Sequence, residues 1–374
     1  MKFALADNPS AAPATAQASK LSGLEAGRGV AALLVVLRHA GQHCFLAYGS
    51  FPLGKIFSFG HAGVDFFFVL SGFIIFHAHQ NDIGRPARLL RYVERRVTRI
   101  YPLYWIATAL ALVAAGLSNH PFPTPESIVT SLMLLPTVDF PVVNVAWTLQ
   151  QEMLFYTIFA FLIWKQRVGL IIFAAWLALL IGLQVHPISY DFGLLVKLRS
   201  YFNFEFFMGM GAAWLTGRVK FATPRLALMI GLVAFISVGV AEDTRTVSNF
   251  SIFTHLAYGF AATSMVVGLV SWERSGGFVV PRILTILGSA SYSIYLVHLL
   301  VIGAIWQVLL LLKLDTALSA WVAYILLVSG AAIGGVVVSN LIEKPVIADI
   351  RRRLTVPDPQ PLAITAPTQF GREP

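Results

Sequence analysis

From Gly27 to Ile342 the chain is a succession of long apolar runs separated by short polar stretches. Ten runs reach spanning length, about 17–25 residues. They lie at 27–46, 60–78, 100–117, 145–164, 168–186, 200–216, 226–241, 250–271, 283–311 and 317–342. A segment in lipid must satisfy its own backbone donors and acceptors, as a helix does and an isolated strand does not. The pattern therefore predicts an all-α polytopic membrane protein with about ten transmembrane helices. The seventh run is short, and the ninth can begin later than residue 283. Ile128–Pro136 is apolar but too short to cross, and reads as interfacial or re-entrant. Residues 1–20 are rich in Ala, Pro, Ser and Gln and lack the apolar run of about 7–15 residues that a signal peptide needs. They read as a disordered cytoplasmic tail, residues 21–347 as the membrane domain, and 348–374, Pro-rich from Val356, as a second cytoplasmic tail.

Composition turns this pattern into a class. Hydrophobic residues make up 57% of the 374 and charged residues 12%, against about 25% charged in a soluble domain. Such a chain cannot cover a soluble surface, which excludes a cytosolic enzyme, a nucleic-acid binder and a disordered scaffold. Cys44 is the only cysteine, so there is no intrachain disulfide and no Cys-x-x-Cys site. No histidine spacing along the chain matches a metal motif, and no metal is expected. The net charge of +9 belongs to the loops. With the N-terminus cytoplasmic, 21 of the 27 Lys and Arg fall on the inner side, five on the outer side, and Arg38 within a span. That bias predicts both termini inside.

Ionisable groups inside spans are costly and so mark interiors or wet cavities. Arg28 and His39 are eleven positions apart on the first span, within about 20° of one helix face and about 16 Å apart along it. Arg28 reads as a snorkelling anchor or a ligand contact, His39 as a packing residue or a base. Arg38 points about 100° away and is expected in a structural ion pair. His61 and Asp65, one turn apart, read equally as a local pair or as catalytic groups. Arg91, Arg95, Arg96 and Arg99 gather at the inner face, as a lipid anchor or a phosphate site. Glu152 lies roughly 10 Å below the outer edge, at the depth of His39, where a carboxylate can orient an imidazole for base catalysis. Ser291, Tyr295 and His298 share a face of the ninth span, for which interhelical hydrogen bonding is the default reading.

Together these residues resemble the integral-membrane acyltransferase family 3 over roughly 21–347. The resemblance rests on Arg-x10-His in the first span, Gly-Val-Asp-Phe-Phe-Phe-Val-Leu-Ser-Gly-Phe at 63–73 and Arg-Arg-x-x-Arg-Ile-Tyr-Pro at 95–102. It continues through Trp-Thr-Leu-x-x-Glu-x-x-Phe-Tyr at 147–156, Glu-Phe-Phe-Met-Gly-Met at 205–210, Ser-Tyr-Ser-Ile-Tyr-Leu-Val-His at 291–298 and Glu-Lys-Pro at 343–345. Each piece is weak alone; seven in this order are specific. The Trp-Thr-Leu-x-x-Glu-Met form is most similar to the branch that decorates exopolysaccharides. Gln150 and Gln151 depart from what other branches place before the glutamate.

The resemblance implies an enzyme of a bacterial inner membrane. It would move an acyl group, usually acetyl, from cytoplasmic acyl-CoA to a hydroxyl of a carbohydrate or lipid-linked oligosaccharide, with no permanently bound cofactor. It maps the catalytic pair onto His39 and Glu152 and acyl-CoA binding onto Arg28, Arg95, Arg96 and Arg99. Asp65, Ser71, Trp147, Ser291, Tyr292, Tyr295 and His298 are supporting residues, with Ser71, Tyr292 and Tyr295 the candidates for stabilising an oxyanion. Membrane lipid and a polysaccharide synthesis complex are the further partners; nucleic acid is not one. A proton-coupled transporter or flippase of a lipid-linked saccharide also accounts for buried charges in ten spans. So does a non-catalytic subunit of such a complex.

Overall fold

The computed structural model describes residues 21–354 except 55, 118–120, 186–191, 249–250 and 277–278. The first tail and residues 355–374 of the second therefore lie outside the described residues. The described residues hold fourteen α-helices and no strand. They are α1 Ser22–Tyr48, α2 Gly63–His79, α3 Leu89–Gly116, α4 Pro125–Leu132, α5 Trp147–Trp164, α6 Gln166–Val185 and α7 Gly193–Leu198, then α8 Phe202–Thr216, α9 Pro224–Asp243, α10 Ile252–Arg274, α11 Arg282–Ser289, α12 Ser291–Leu311, α13 Ala320–Val338 and α14 Lys344–Leu354.

Among the described residues, eight helical runs are long and apolar enough to cross a bilayer. α5 and α8 stand where the fourth and sixth spans are expected but fall outside that group. α5 carries Gln150, Gln151 and Glu152 in its first two turns, and α8 has only 15 residues. Three boundaries differ from the apolar runs. The arginine stretch and the third span are one helix, α3, running through Pro102. The ninth run breaks at Ala290 into α11 and α12. The tenth passes through a π-helical turn at Ser339–Glu343 into α14, so the first residues of the second tail, 348–354, are helical. Hydropathy alone cannot see these changes, because each leaves the apolar count nearly unaltered.

Burial sorts the helices. α2 and the turns flanking it bury 67% of their span and α10 56%, whereas α6, α9 and α13 bury under a quarter. Leu170, Ile171, Ile230, Val233, Ile325 and Ile333 stand exposed on those outer helices, the apolar surface that lipid covers. The two ends of the bundle are held by polar ties. At one end Glu273 of α10 accepts from the backbone N–H groups of Ser22 and Gly23, at 2.7 and 2.9 Å, in place of a cap at the start of α1. Arg274 donates to the carbonyl of Thr216 at the end of α8. At the other end His61 meets Glu242 at 3.1 Å and Tyr258 donates to the same carboxylate at 2.6 Å. α4, the short run, is pinned to α3: Tyr104 donates to the carbonyl of Ser131 and Trp105 to that of Leu132.

α2 and α8 approach backbone to backbone. A Cβ on Gly72 would strike the backbone of Phe206, and one on Gly209 the carbonyl of Val69. Small residues allow such contacts where lipid supplies no hydrophobic drive between helices. Gly211, two positions along α8, has nothing within 4 Å of the same point. Gly209→Ala is expected to destabilise by at least about 1–3 kcal/mol, the usual cost of overpacking, and Gly211→Ala by far less. Thermal unfolding of the two variants in detergent checks this, with equal melting temperatures as the contrary result.

Candidate active site

A narrow cavity of about 80 Å³ lies between α1, α2, α3, α5 and α12. Its polar lining is Arg28, Ser71, Arg96, Arg99, Thr148, Glu152 and Tyr156, with Ser291, Tyr292 and Tyr295 from the first turns of α12. Its apolar walls include Phe67, Phe68 and Ile74 of α2 and Ile100 of α3. Glu152 accepts from Ser71 at 3.0 Å and from the Tyr156 hydroxyl one turn along α5. Arg28 lies within electrostatic reach of Arg99, Glu152 and Glu343. Arg96 stacks over the rings of Tyr156 and Tyr92, at 5.4 and 5.9 Å, and donates to His79 at 3.4 Å. His79 in turn meets Asp82 at 2.9 Å. Arg95 is exposed and outside the lining. Neighbours on one helix, Arg95 and Arg96 point about 100° apart, and it is Arg96 that joins Arg99 at the cavity.

The three hydroxyls proposed as oxyanion donors are committed within the protein. Ser71 donates to Glu152, Tyr292 to the carbonyl of Ile100 at 2.7 Å, and Tyr295 to that of Val145 at 3.2 Å. Ser291 Oγ is buried with no hydrogen-bond partner among the described residues. Glu343 holds this end of α12 in place by accepting from Ser293 at 2.6 Å and Ser339 at 3.0 Å. Two of the short motifs, 291–298 and 343–345, are thus joined by one carboxylate.

His39 and Glu152 share no hydrogen bond, contrary to the expected pairing. His39 Nδ1 lies 3.0 Å from His298 Nε2 and 3.0 Å from the carbonyl of Val35. His39 does not line the cavity; it stands beside it, reached through His298 and Tyr295, whose rings lie 6.0 Å apart. Equal depth on two helices did not mean contact, because α2 and α12 present Ser71 and His298 to these residues first.

Other expectations change as well. His61 and Asp65 do not pair with each other. His61 turns to Glu242, and Asp65, fully buried, accepts from His255 Nδ1 at 2.5 Å. Arg38 donates to the carbonyl of Ser58, not to a carboxylate. It borders a larger cavity of about 550 Å³ at the far end of α1, with Glu242 and Asp243. Trp147 lies outside the narrow cavity, packed on Phe202 at 5.2 Å, with the Lys197 ammonium 5.8 Å from its ring. Burial pulls Lys197 down to about 8. Gln150 donates to the carbonyl of Leu135 at 2.7 Å and Gln151 to that of Lys197 at 3.0 Å, so the glutamines lash α5 to the loop after α4 and to α7.

Sequence reasoning missed Tyr156, Glu343, Glu205 and His255. Tyr156 was legible as the i+4 neighbour of Glu152. Asp65, Glu205 and His255 bring ligand-type atoms within 4.8 Å of one another from three helices, which no spacing along the chain reveals. The Asp65–His255 contact, at 2.5 Å, ties α2 to α10, with Glu205 of α8 beside it.

Arginines and a carboxylate converge on one slot of the helical bundle, and sequence comparison supplies the class, a membrane acyltransferase. The chain belongs to the acyltransferase family 3, whose acyltransferase domain matches residues 21–340. It is 30% identical over 315 residues to the exopolysaccharide production protein ExoZ of Rhizobium meliloti (strain 1021), covering 80% of this chain and 93% of that one. It is 31% identical over 160 residues to protein 2 in the picA locus of Rhizobium radiobacter, covering 37% and 79%. No solved structure matches. The enzyme class set aside a transporter and a non-catalytic subunit.

Proposed function

We propose that this enzyme is an O-acyltransferase of exopolysaccharide production, moving an acetyl group from cytoplasmic acetyl-CoA to a carbohydrate hydroxyl. The observation that carries the reading is the convergence of Arg28, Arg96 and Arg99 with Glu152 on one narrow cavity. Guanidinium groups take phosphate bidentately, and CoA is the polyanionic acyl donor of the cytoplasm. In this reading the arginines take the CoA phosphates and the pantetheine arm runs on from them into the slot. The acceptor class follows the 30% identity to the exopolysaccharide production protein.

In this reading the bundle has ten spans, α5 and α8 included, with both termini cytoplasmic in a bacterial inner membrane. The 21-to-five distribution of Lys and Arg supports it. It puts Arg28 and the basic end of α3 on the side where CoA is found. His39 is the general base. The acceptor oxygen attacks the thioester carbonyl while His39 takes the hydroxyl proton. The carbon–sulfur bond then breaks, and the leaving thiolate receives that proton to become the free thiol. Glu152 holds Ser71, Tyr156 and the arginines in register and supplies the negative charge that lets guanidinium groups remain in the bundle. An acyl-histidine intermediate is the less favoured variant.

The central test is mass spectrometry of exopolysaccharide from a deletion strain beside its complemented parent. Loss of an acetyl mass on deletion is expected, along with its absence when the complementing copy carries His39→Ala. An unchanged polymer in the deletion strain would refute the acceptor class.

For the donor, Arg96→Ala and Arg99→Ala should each raise the acetyl-CoA KM about 10- to 100-fold, the worth of one charge-assisted contact. Arg95→Ala should change it little, and Lys at 96 or 99 should rescue only in part. An unchanged acetyl-CoA KM in both Arg96→Ala and Arg99→Ala, with the protein folded, would reduce the arginines to a lipid anchor.

For the topology, single cysteines Thr246→Cys and Arg352→Cys in a Cys44→Ser background should respond oppositely to an impermeant thiol reagent outside intact cells. Labelling at 246 and protection at 352 are expected; the reverse would invert the bundle.

A further inference from the structure

The neighbours of His39 and His298 assign their protons. Nδ1 of His298 lies 2.6 Å from the carbonyl oxygen of Tyr295, and Nδ1 of His39 lies 3.0 Å from that of Val35. A carbonyl oxygen only accepts, so each Nδ1 carries the hydrogen, and in each neutral ring Nε2 is bare. The bare Nε2 of His298 faces Nδ1 of His39 at 3.0 Å. The rings meet edge to edge, with centroids 5.0 Å apart and planes at 38°, as an N–H···N bond requires. The Val35 carbonyl already accepts the backbone N–H of His39 within α1, which makes it the poorer of the two acceptors. The Nε2 edge of His39 has no hydrogen-bond partner among the described residues, and the residue is half-buried.

We infer that His298 is a positioning residue for acyl transfer: it fixes the ring and tautomer of His39 so that Nε2 is presented as the base, and it accepts from Nδ1–H as that ring gains positive charge. The inference rests on the proposed role of His39. The acceptor proton moves to His39 Nε2 and on to the leaving thiolate, so none passes through His298. A buried aspartate does the same for the histidine of a serine protease. A neutral imidazole does it here without adding a charge to a lipid-embedded core. His298 is 0% exposed and does not line the cavity, so it acts through His39 and not on the donor.

The test uses the full-length enzyme in detergent or nanodiscs, with acetyl-CoA as donor and exopolysaccharide stripped of its esters by mild alkali as acceptor. His298→Leu keeps volume and removes the acceptor atom. It is expected to lower kcat about 10²- to 10⁴-fold, the usual worth of general base catalysis, with the acetyl-CoA KM within about twofold. His298→Gln can return an acceptor oxygen near the place of Nε2 and should recover at least about tenfold over the Leu variant. In a His39→Ala background, His298→Gln should cost nothing further, because groups acting as a unit are not additive. That comparison also serves if the Leu variant fails to fold. Equal loss in the Leu and Gln variants, a loss confined to KM, or additive losses in the double variant would overturn the inference. A wild-type enzyme that turns over no acetyl-CoA would instead overturn the proposed function.

Discussion

A charge carried into a bilayer has to be answered from within the protein, since lipid supplies no counter-charge and no hydrogen bond. Most of this bundle follows from that requirement. Arg28, Arg96 and Arg99 enter on α1 and α3; Glu152 on α5 and Glu343 beyond α13 lie within reach of Arg28. No helix of the five around the cavity could be stable there alone. Removing one member of such a set strands the others, at a typical cost of 3–5 kcal/mol. Three cations face two anions, which leaves the slot with the sign that attracts a polyanionic donor. On the proposed function, cohesion of the bundle and capture of the donor are one electrostatic arrangement.

α2 carries the consequence to the remaining helices. It is the most enclosed of the eight spanning runs, and its polar residues each reach a different neighbour: Asp65 to His255 on α10, Ser71 to Glu152 on α5. Gly72 lets the backbone of α8 come close enough for α2 to be wrapped on all sides. Phe66 and Phe68 fill the gaps between those polar contacts with apolar mass. The segment at 63–73 is a run of specific fittings, each matched to a different helix.

The class of fold was legible because apolar length is a one-dimensional signal, and so was the importance of buried charge. What was hidden lies in rotations and breaks. Arg95 and Arg96 are equivalent in composition, and only the path of α3 decides which faces inward. The split at Ala290 gives α12 a new starting point, and that puts Ser291 and Tyr295 on the cavity. His39 and Glu152 do lie inside the bundle, half-buried, but their partners arrive from α12 and α2, hundreds and tens of residues away in sequence. Glu343 looked like the start of a terminal signature and serves as the tie that holds the first turn of α12.

Arg28 and His39 ride on one uninterrupted helix, Ser22–Tyr48, and this makes α1 a ruler. Eleven residues fix an interval of about 16 Å that no side-chain adjustment can much alter. On the proposed function, a thioester delivered along that interval would arrive at a set height, its arm read against rigid backbone. Added carbons on the acyl group would have to find room beyond His39. Inserting one residue between the two marks would turn the base by about 100° and lift it by about 1.5 Å, so variation in acyl size among relatives is to be sought past the ruler's end, not along it.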